Sequence, residues 1–313
     1  MALKTLALFL CISCLACCSS RSGTQVTIAI NPWPGYEFLY LAETKHYFEK
    51  VGLDIKLLQL GSLSDARRAY VNGNADGLAS TVIEAVQAQV ESNRPLKIVL
   101  VPDYSNGGDV IIADKTVKSL SDLKGKTVGC EVDSLGIYLL HRALSQAGLS
   151  LSDLDVVNVE QMRGEQAMLD QQIDAYVSYA PVSVSILKHE QFHTVFSSAQ
   201  IPNEIIDTVS IAKEILQRDP QFVSKLHRAW QMALDYYATN PRDALQIMSA
   251  REQISADDFV ATLSELTVLN REQQKRIFAS PDALHQATVD VCNTLVHVQA
   301  IQTNCDNFIN IVN

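Results

Sequence analysis

Apolar positions along this chain switch repeatedly between two spacings. VTIAI (26–30) is a β-branched apolar run, the pattern of a buried strand. From Phe38 the spacing becomes helical through Leu41 and Ala42. The same exchange recurs to about residue 212. It predicts strands at 26–30, 54–60, 76–80, 97–102, 109–113, 127–131, 155–159, 174–178, 193–196 and 207–212. Helices are predicted between them at 37–49, 63–72, 82–92, 134–147, 163–172 and 181–189. Such alternation implies an α/β protein with a parallel sheet covered on both faces. From 213 onward no strand pattern is convincing. Helical spacing runs on through 213–217, 219–238, 241–250, 255–265, 270–278 and 281–301. Asp219-Pro220, Asn240-Pro241 and Ser280-Pro281 each set a capping residue before a helix-starting proline. This helical tail has to pack onto the α/β part.

An internal echo runs through the alternating region. GLDIKLLQL…ARRAYVNGNADGLAST (52–81) and DLDVVNVE…EQAMLDQQIDAYVSYA (153–180) both read strand, helix, polar turn, strand, with Asp174 in the place of Asp76. Two lobes of similar build are expected. The 313 residues suffice for both.

Composition narrows the partners. A net charge of −10 with no basic run argues against nucleic acid or an anionic membrane surface. At the N-terminus, Lys4, the apolar LALFLCI (6–12) and the small residues of 13–20 read as an export signal too short to span a bilayer. Residues 1–23 are therefore assigned to signal, lipid-anchor site and tether. Cys17 sits where a bacterial lipoprotein is acylated, with Cys18 as the alternative and a plain signal peptide as the other. The expected location is the periplasm, membrane-anchored through lipid only. In an oxidising compartment Cys292 and Cys305 are expected to be bridged, a loop worth about 3 kcal/mol in the chain-entropy model. Cys130 is expected to be a buried thiol, and no metal site or cofactor is expected.

Catalytic signatures are missing. There is no GxGxxG after a strand, no P-loop and no GxSxG. His46, His141, His227, His285 and His297 fall in helix patterns and read as exposed. No base or orienting partner is visible for Cys130. The chain reads as a non-enzyme.

Binding features gather at strand ends, where α/β sheets place ligands. NPWPGY follows the first strand, Ser80-Thr81 the third and DYSNGGD (103–109) the fourth. Glu131, Asp133, Ser134 and Gly136 follow Cys130, and Tyr179-Ala180-Pro181 follows the strand at 174–178. The prolines around Trp33 would fix a loop so that Trp33 or Tyr36 walls a cleft. The alternative is a Trp that caps its own lobe's core. Glu37, Asp103, Asp109, Glu131 and Asp133 lie near this edge, and no Arg or Lys follows there before Arg163. A cationic or zwitterionic ligand is expected. The Gly-Gly pair of DYSNGGD is a natural hinge, with a return crossing near 193–212.

These segments carry a resemblance. WPG-Y, HYFEKVGLDIKLLQLGS (46–62), NGNADGLAST (72–81), DYSNGGD, SLSDLKGKTVGCE (119–131), DAYVSYAP (174–181) and IPNEIIDTV (201–209) resemble the periplasmic substrate-binding proteins of nitrate/sulfonate/taurine-type ABC importers. The likeness covers roughly 26–240, and the tail by character alone. It implies a periplasmic-binding-protein type II fold with two lobes, two crossing strands and a C-terminal helical tail. Lobe I would be 24–104 plus 206–313 and lobe II 105–205. It also implies closure on one small molecule that is delivered to a membrane permease; a monomer is expected. The matching ligand-lining positions are Trp33, Tyr36, Thr81, Asp103, Ser105, Glu131, Ser134 and Tyr179. Asp109 joins them from the strand-end reading. These segments carry carboxylates and no arginine, which counts against nitrate or an alkanesulfonate. Two other roles are kept as alternatives: a ligand sensor for a membrane receptor on the same fold, and an enzyme of pyrimidine biosynthesis on a related fold, against which the export signal speaks.

Overall fold

The computed structural model describes residues 25–305 and 311–313. Cys14, Cys17 and Cys18, on which the export and anchor reading rests, lie outside the described residues. Among the described residues no helix is long and apolar enough to cross a membrane.

Two five-stranded sheets organise the chain. The first contains β1 (Val26–Ile30), β2 (Ile55–Gln59), β3 (Gly77–Thr81) and β4 (Leu96–Leu100). A short β5 (Asp103–Ser105) leads out of it to β6 (Asp109–Asp114), which lies in the second sheet. There β6 joins β7 (Thr127–Cys130), β8 (Asp155–Asn158), β9 (Ala175–Tyr179) and β10 (Phe192–Ser197). The chain then returns as β11 (Asp207–Ala212) to the first sheet. The strand orders are β2-β1-β3-β11-β4 and β10-β6-β9-β7-β8.

Read from opposite ends, these orders are the same. β11 runs antiparallel between β3 and β4, and β6 runs antiparallel between β9 and β10. Each sheet is completed by a strand that has crossed over. The expectation of purely parallel sheets is corrected here, because a crossing strand enters its host sheet from the far side and lies reversed. The internal echo proves structural. Asp76 accepts a hydrogen bond from the Thr27 N–H (3.0 Å), and Asp174 accepts one from the Thr127 N–H (2.9 Å). Both acids tie the start of one strand to the start of the strand beside it.

The tail covers the first sheet. The helix Phe222–Thr239 lays Trp230 against Phe38, ring centroids 5.5 Å apart, and the Trp230 Nε1–H donates to the Leu269 carbonyl at 2.7 Å. His227 on the same helix is buried and donates from Nε2 to the Val99 carbonyl at 2.7 Å. It is not the exposed histidine expected, because its face of the helix is the one that packs on β4. The tail also contains β12 (Leu266–Val268), antiparallel to β5. Three residues are too few for a period-2 pattern to register, so this strand was not expected. The expected helix over 37–49 is two helices, Glu37–Thr44 and Tyr47–Lys50, broken where His46 takes a left-handed conformation (φ 58°). Cys292 and Cys305 form a disulfide, and Cys130 is buried and free.

Candidate functional site

The strand-exit loop after β1 is held by its own backbone. Tyr36 N–H donates to the Trp33 carbonyl at 2.9 Å, closing a turn between Pro34 and the helix that follows. The prolines fix φ at 32 and 34 and restrict the backbone that carries the indole. The indole points across the gap between the sheets and meets Tyr179, at the end of β9, edge to face with ring centroids 6.0 Å apart. Trp33 is buried with the core residues of the first lobe and also faces the second through Tyr179.

Trp33 and Tyr179 share a closed cavity of about 10 Å³ with Asn31, Tyr36, Leu63, Thr81, Asp109, Leu135 and Asp207. That is room for about one water, so an organic ligand needs the lobes further apart. Polar contacts fasten the gap in this arrangement. The Leu63 N–H donates to the Tyr179 hydroxyl (3.4 Å), Arg67 pairs with Asp133 (2.8 Å), and the Ser64 hydroxyl donates to Asp133 (3.0 Å). Lys188 pairs with Asp258 at 2.9 Å.

The electrostatics are one-sided. Asp103, Asp109, Glu131 and Asp207 are all buried, and each keeps at least one carboxylate oxygen without a hydrogen-bond partner. Burial pushes Asp109 and Glu131 up to about 7, with Glu84 adding to the rise in both. Asp103 and Asp207 lie together and are also raised by burial. Tyr36 donates its hydroxyl to Asp207, and burial and that carboxylate hold the phenol above its ordinary range. Trp33 Nε1–H is likewise buried without a partner. Carboxylates with free oxygens are costly to bury without a cation. Perturbed acids gathered at a cleft are the physical mark of a candidate functional site. Among the described residues no group of three or more His, Cys, Asp or Glu is arranged to hold a metal ion.

The nearest cations are already engaged, and here the sequence reading needs correcting. Arg67 reaches Glu91 and Asp133, and Arg251 from the tail is buried against Glu37. Neither could be placed from sequence, since one lies on a helix across the gap and the other 214 residues from its partner. Asp133 is thereby removed from the free acids at this edge, and Glu37 is paired through one oxygen while its Oε2 stays without a partner.

Of the expected site residues, Trp33, Tyr36, Thr81, Asp109 and Tyr179 line the cavity. Asp103, Ser105, Glu131 and Ser134 are buried but do not line it. Ser105 is committed to the crossing segment, its hydroxyl 2.8 Å from that of Ser198. Thr81 caps the helix Val82–Glu91, and its hydroxyl donates to Glu84 at 2.6 Å. Asn31, Glu84 and Asp207 were missed. The T-x-x-E spacing of Thr81 and Glu84 is a capping-box signature that could have exposed Glu84. Asp207 opens a crossing strand, which no local pattern announces.

Gly35 makes the close packing possible. A Cβ there would stand 1.8 Å from Asp103 Oδ2 and 2.9 Å from Trp33 Nε1. Gly35→Ala must push that carboxyl or the indole aside. We expect ligand affinity to fall on the order of tenfold to a hundredfold, read by calorimetry. An unchanged affinity would mean that the ligand does not touch this corner. Gly108 on the crossing segment has the same character, its Cβ direction ending 2.8 Å from Trp33 Cη2.

A family model described as NMT1/THI5 like matches residues 33–244. The chain belongs to the NMT1/THI5-like family. Solved structures share its fold. The aliphatic sulphonate binding protein SsuA of Escherichia coli superposes with a TM-score of 0.73 at 17% identity, over 90% of this chain and 95% of that one. The periplasmic nitrate-binding protein NrtA of Synechocystis PCC 6803 gives 0.74 at 13% identity, over 93% and 86%. The fold is thus the periplasmic-binding-protein type II fold, as the sequence resemblance implied. Among curated relatives, a Brucella abortus protein whose name suggests a binding role is 26% identical over 223 residues, 68% of this chain and 66% of that protein. The match thus spans just under two thirds of that relative's length. A Saccharomyces cerevisiae relative named 4-amino-5-hydroxymethyl-2-methylpyrimidine phosphate synthase is 21% identical over 241 residues, 70% of this chain and 69% of its own. NMT1/THI5-like chains therefore carry both binding and synthetic names.

Proposed function

We propose that this member of the NMT1/THI5-like family is a solute-binding protein that closes its two lobes on a small organic cation. The observation that carries this is the set of buried carboxylates with free oxygens around Trp33 and Tyr179, between the sheets. A protonated amine or amidine would satisfy those oxygens, and the indole offers the best cation–π face. Protonatable aminopyrimidines fall in this class, and the yeast relative's name adds weight to them. The hinge would lie in the crossing segments near 105 and 205, between lobe I (24–104 plus 206–313) and lobe II (105–205). The export signal and an acylated Cys17 or Cys18 would hold the protein as a monomer in the periplasm, delivering ligand to an ABC permease. A receptor partner would make the same device a sensor.

Titration with amines, amidines, aminopyrimidines, sulfonates and nitrate tests this, read by tryptophan fluorescence. Trp33 should report, while Trp230 is sealed in the tail packing and serves as reference. Binding by nitrate or a sulfonate and by none of the cations would overturn the reading. The yeast name also favours a second reading, pyrimidine chemistry on this fold. Against it, Cys130 is buried with its thiol pushed up to about 12, and His227 is spent on a carbonyl. Product detected by mass spectrometry after incubation with a bound pyrimidine would revive it.

Binding should depend on pH. Asp109 and Glu131 stand near 7 in the folded protein, above their ordinary values. Below about pH 4 they are protonated in both folded and unfolded chains and contribute no difference. Between there and about 7 the folded state holds more protons, so stability of the ligand-free protein falls as pH rises. A permanent cation competes with those protons. Its affinity should rise between pH 5.5 and 8, by up to about tenfold per pH unit for each proton displaced. A flat profile in calorimetry would place the ligand away from these acids.

A further inference from the structure

We propose that Glu84 acts as a built-in anion that latches the lobes shut, so that the site takes ligands carrying no phosphate, sulfonate or other anionic group. This rests on the cation-binding reading above and goes beyond it to the rest of the ligand's structure.

Glu84 belongs to the first lobe but serves helix starts in both. Its Oε2 accepts from the Thr81 N–H at 3.0 Å and the Thr81 hydroxyl at 2.6 Å, at the start of its own helix. Its Oε1 accepts from the Ser134 hydroxyl at 2.7 Å and the Leu135 N–H at 2.7 Å. Ser134 and Leu135 begin the twelve-residue helix Leu135–Gln146 of the other lobe. The start of such a helix carries donors without internal partners and partial positive charge, and is a ready seat for an anion. Here the protein fills that seat itself. Glu84 is fully buried and accepts from these four donors.

A ligand anion would have to displace that carboxylate. It would then sit among Asp103, Asp109, Glu131 and Asp207, whose free oxygens already lack a cation. Like charges gathered in a water-poor cavity repel strongly. An anion binder on this fold could use its ligand to join the two helix starts. In this chain Glu84 joins them with no ligand present, and a ligand that enters when the lobes part is asked to supply only positive charge.

The test uses Glu84→Ala and Glu84→Gln in the full chain. Lobe closure is followed by small-angle X-ray scattering and stability by thermal melting. We expect Glu84→Ala to open the lobes, and sodium formate in the millimolar range to reclose them by taking the empty carboxylate's place. Formate should leave the wild type unchanged. Glu84→Gln keeps an acceptor for Leu135 and should show an intermediate opening. A Glu84→Ala protein as closed as the wild type, or one that formate does not reclose, would overturn the latch. Should Glu84→Ala unfold, Glu84→Gln with Ser134→Ala gives the same comparison. The ligand arm uses 4-amino-5-hydroxymethyl-2-methylpyrimidine and its phosphate ester. Wild type should prefer the free pyrimidine at least tenfold, and Glu84→Ala should narrow that gap. A wild type that prefers the ester would also overturn the proposal. Scattering needs no ligand, so failure of every cation to bind would sink the cation-binding reading without touching the latch result.

Discussion

Trp33→Ala is expected to weaken ligand binding about 30- to 100-fold, roughly 2–3 kcal/mol, the range of a central aromatic anchor. The indole closes one wall of the cavity, stands edge to face with Tyr179 at 6.0 Å, and brings its Nε1 over Gly35 beside Asp103. Truncation removes three things: the cation–π face, the donor, and the surface that keeps water from the carboxylates. The last strengthens every charge interaction in the site. Trp33→Phe should recover the face without the donor and cost less. Isothermal calorimetry is the right measurement, since either variant loses the fluorescent reporter. Because Trp33 lies at the gap between lobes, the melting temperature without ligand should fall far less than binding does. If both variants bound ligand like the wild type, the cavity between Trp33 and Tyr179 would not be the binding site.

Arg251→Met is expected to cost about 3–5 kcal/mol of stability, as removal of one partner of a buried ion pair does. The Arg251 side chain is 3% exposed and pairs with Glu37, which is 0% exposed. Its guanidinium also lies 5.0 Å from the Tyr40 ring centroid. Glu252 is buried beside them with both carboxylate oxygens unpartnered, and is held well above its usual range by burial and by Glu37. Without Arg251 two acids face each other with no cation. They can relieve this only by taking up protons, which fixes the sign of the pH effect. The loss should be largest near pH 8 and smaller near pH 5, where protonation of Glu37 and Glu252 is cheap. Chemical denaturation at the two pH values reads this. The double change Arg251→Met with Glu37→Gln should return part of the stability. A loss under 1 kcal/mol at pH 8 would show that the pair is not buried as described.

Much of the site was legible because local chemistry announces itself. Two prolines around a tryptophan at a strand exit announce a restricted loop that carries an aromatic, and packing then sets the direction of the ring. Asp109, Thr81 and Tyr179 were found as polar or aromatic residues at strand ends, and they do line the cavity. What was misread was partnership. Glu37 and Asp133 looked free because Arg251 and Arg67 are distant in sequence. His227 looked exposed because nothing in a helix pattern tells which stripe meets β4. Asp207 was passed over because a crossing strand reads as any other strand until its neighbours are known.

The order of strands and helices, the aromatic strand exit, the acidic bias and the doubling of a βαβ unit are properties of the chain read along its length. They follow from side-chain period, backbone restriction and composition, which act between near neighbours. The reversed crossing strands, the pairing of Arg251 with Glu37, and the meeting of Trp33, Tyr179 and Glu84 across one gap were settled by the fold alone. Burial turns carboxylates that water would have screened into a demand for a cation, and burial is decided by residues far away along the chain.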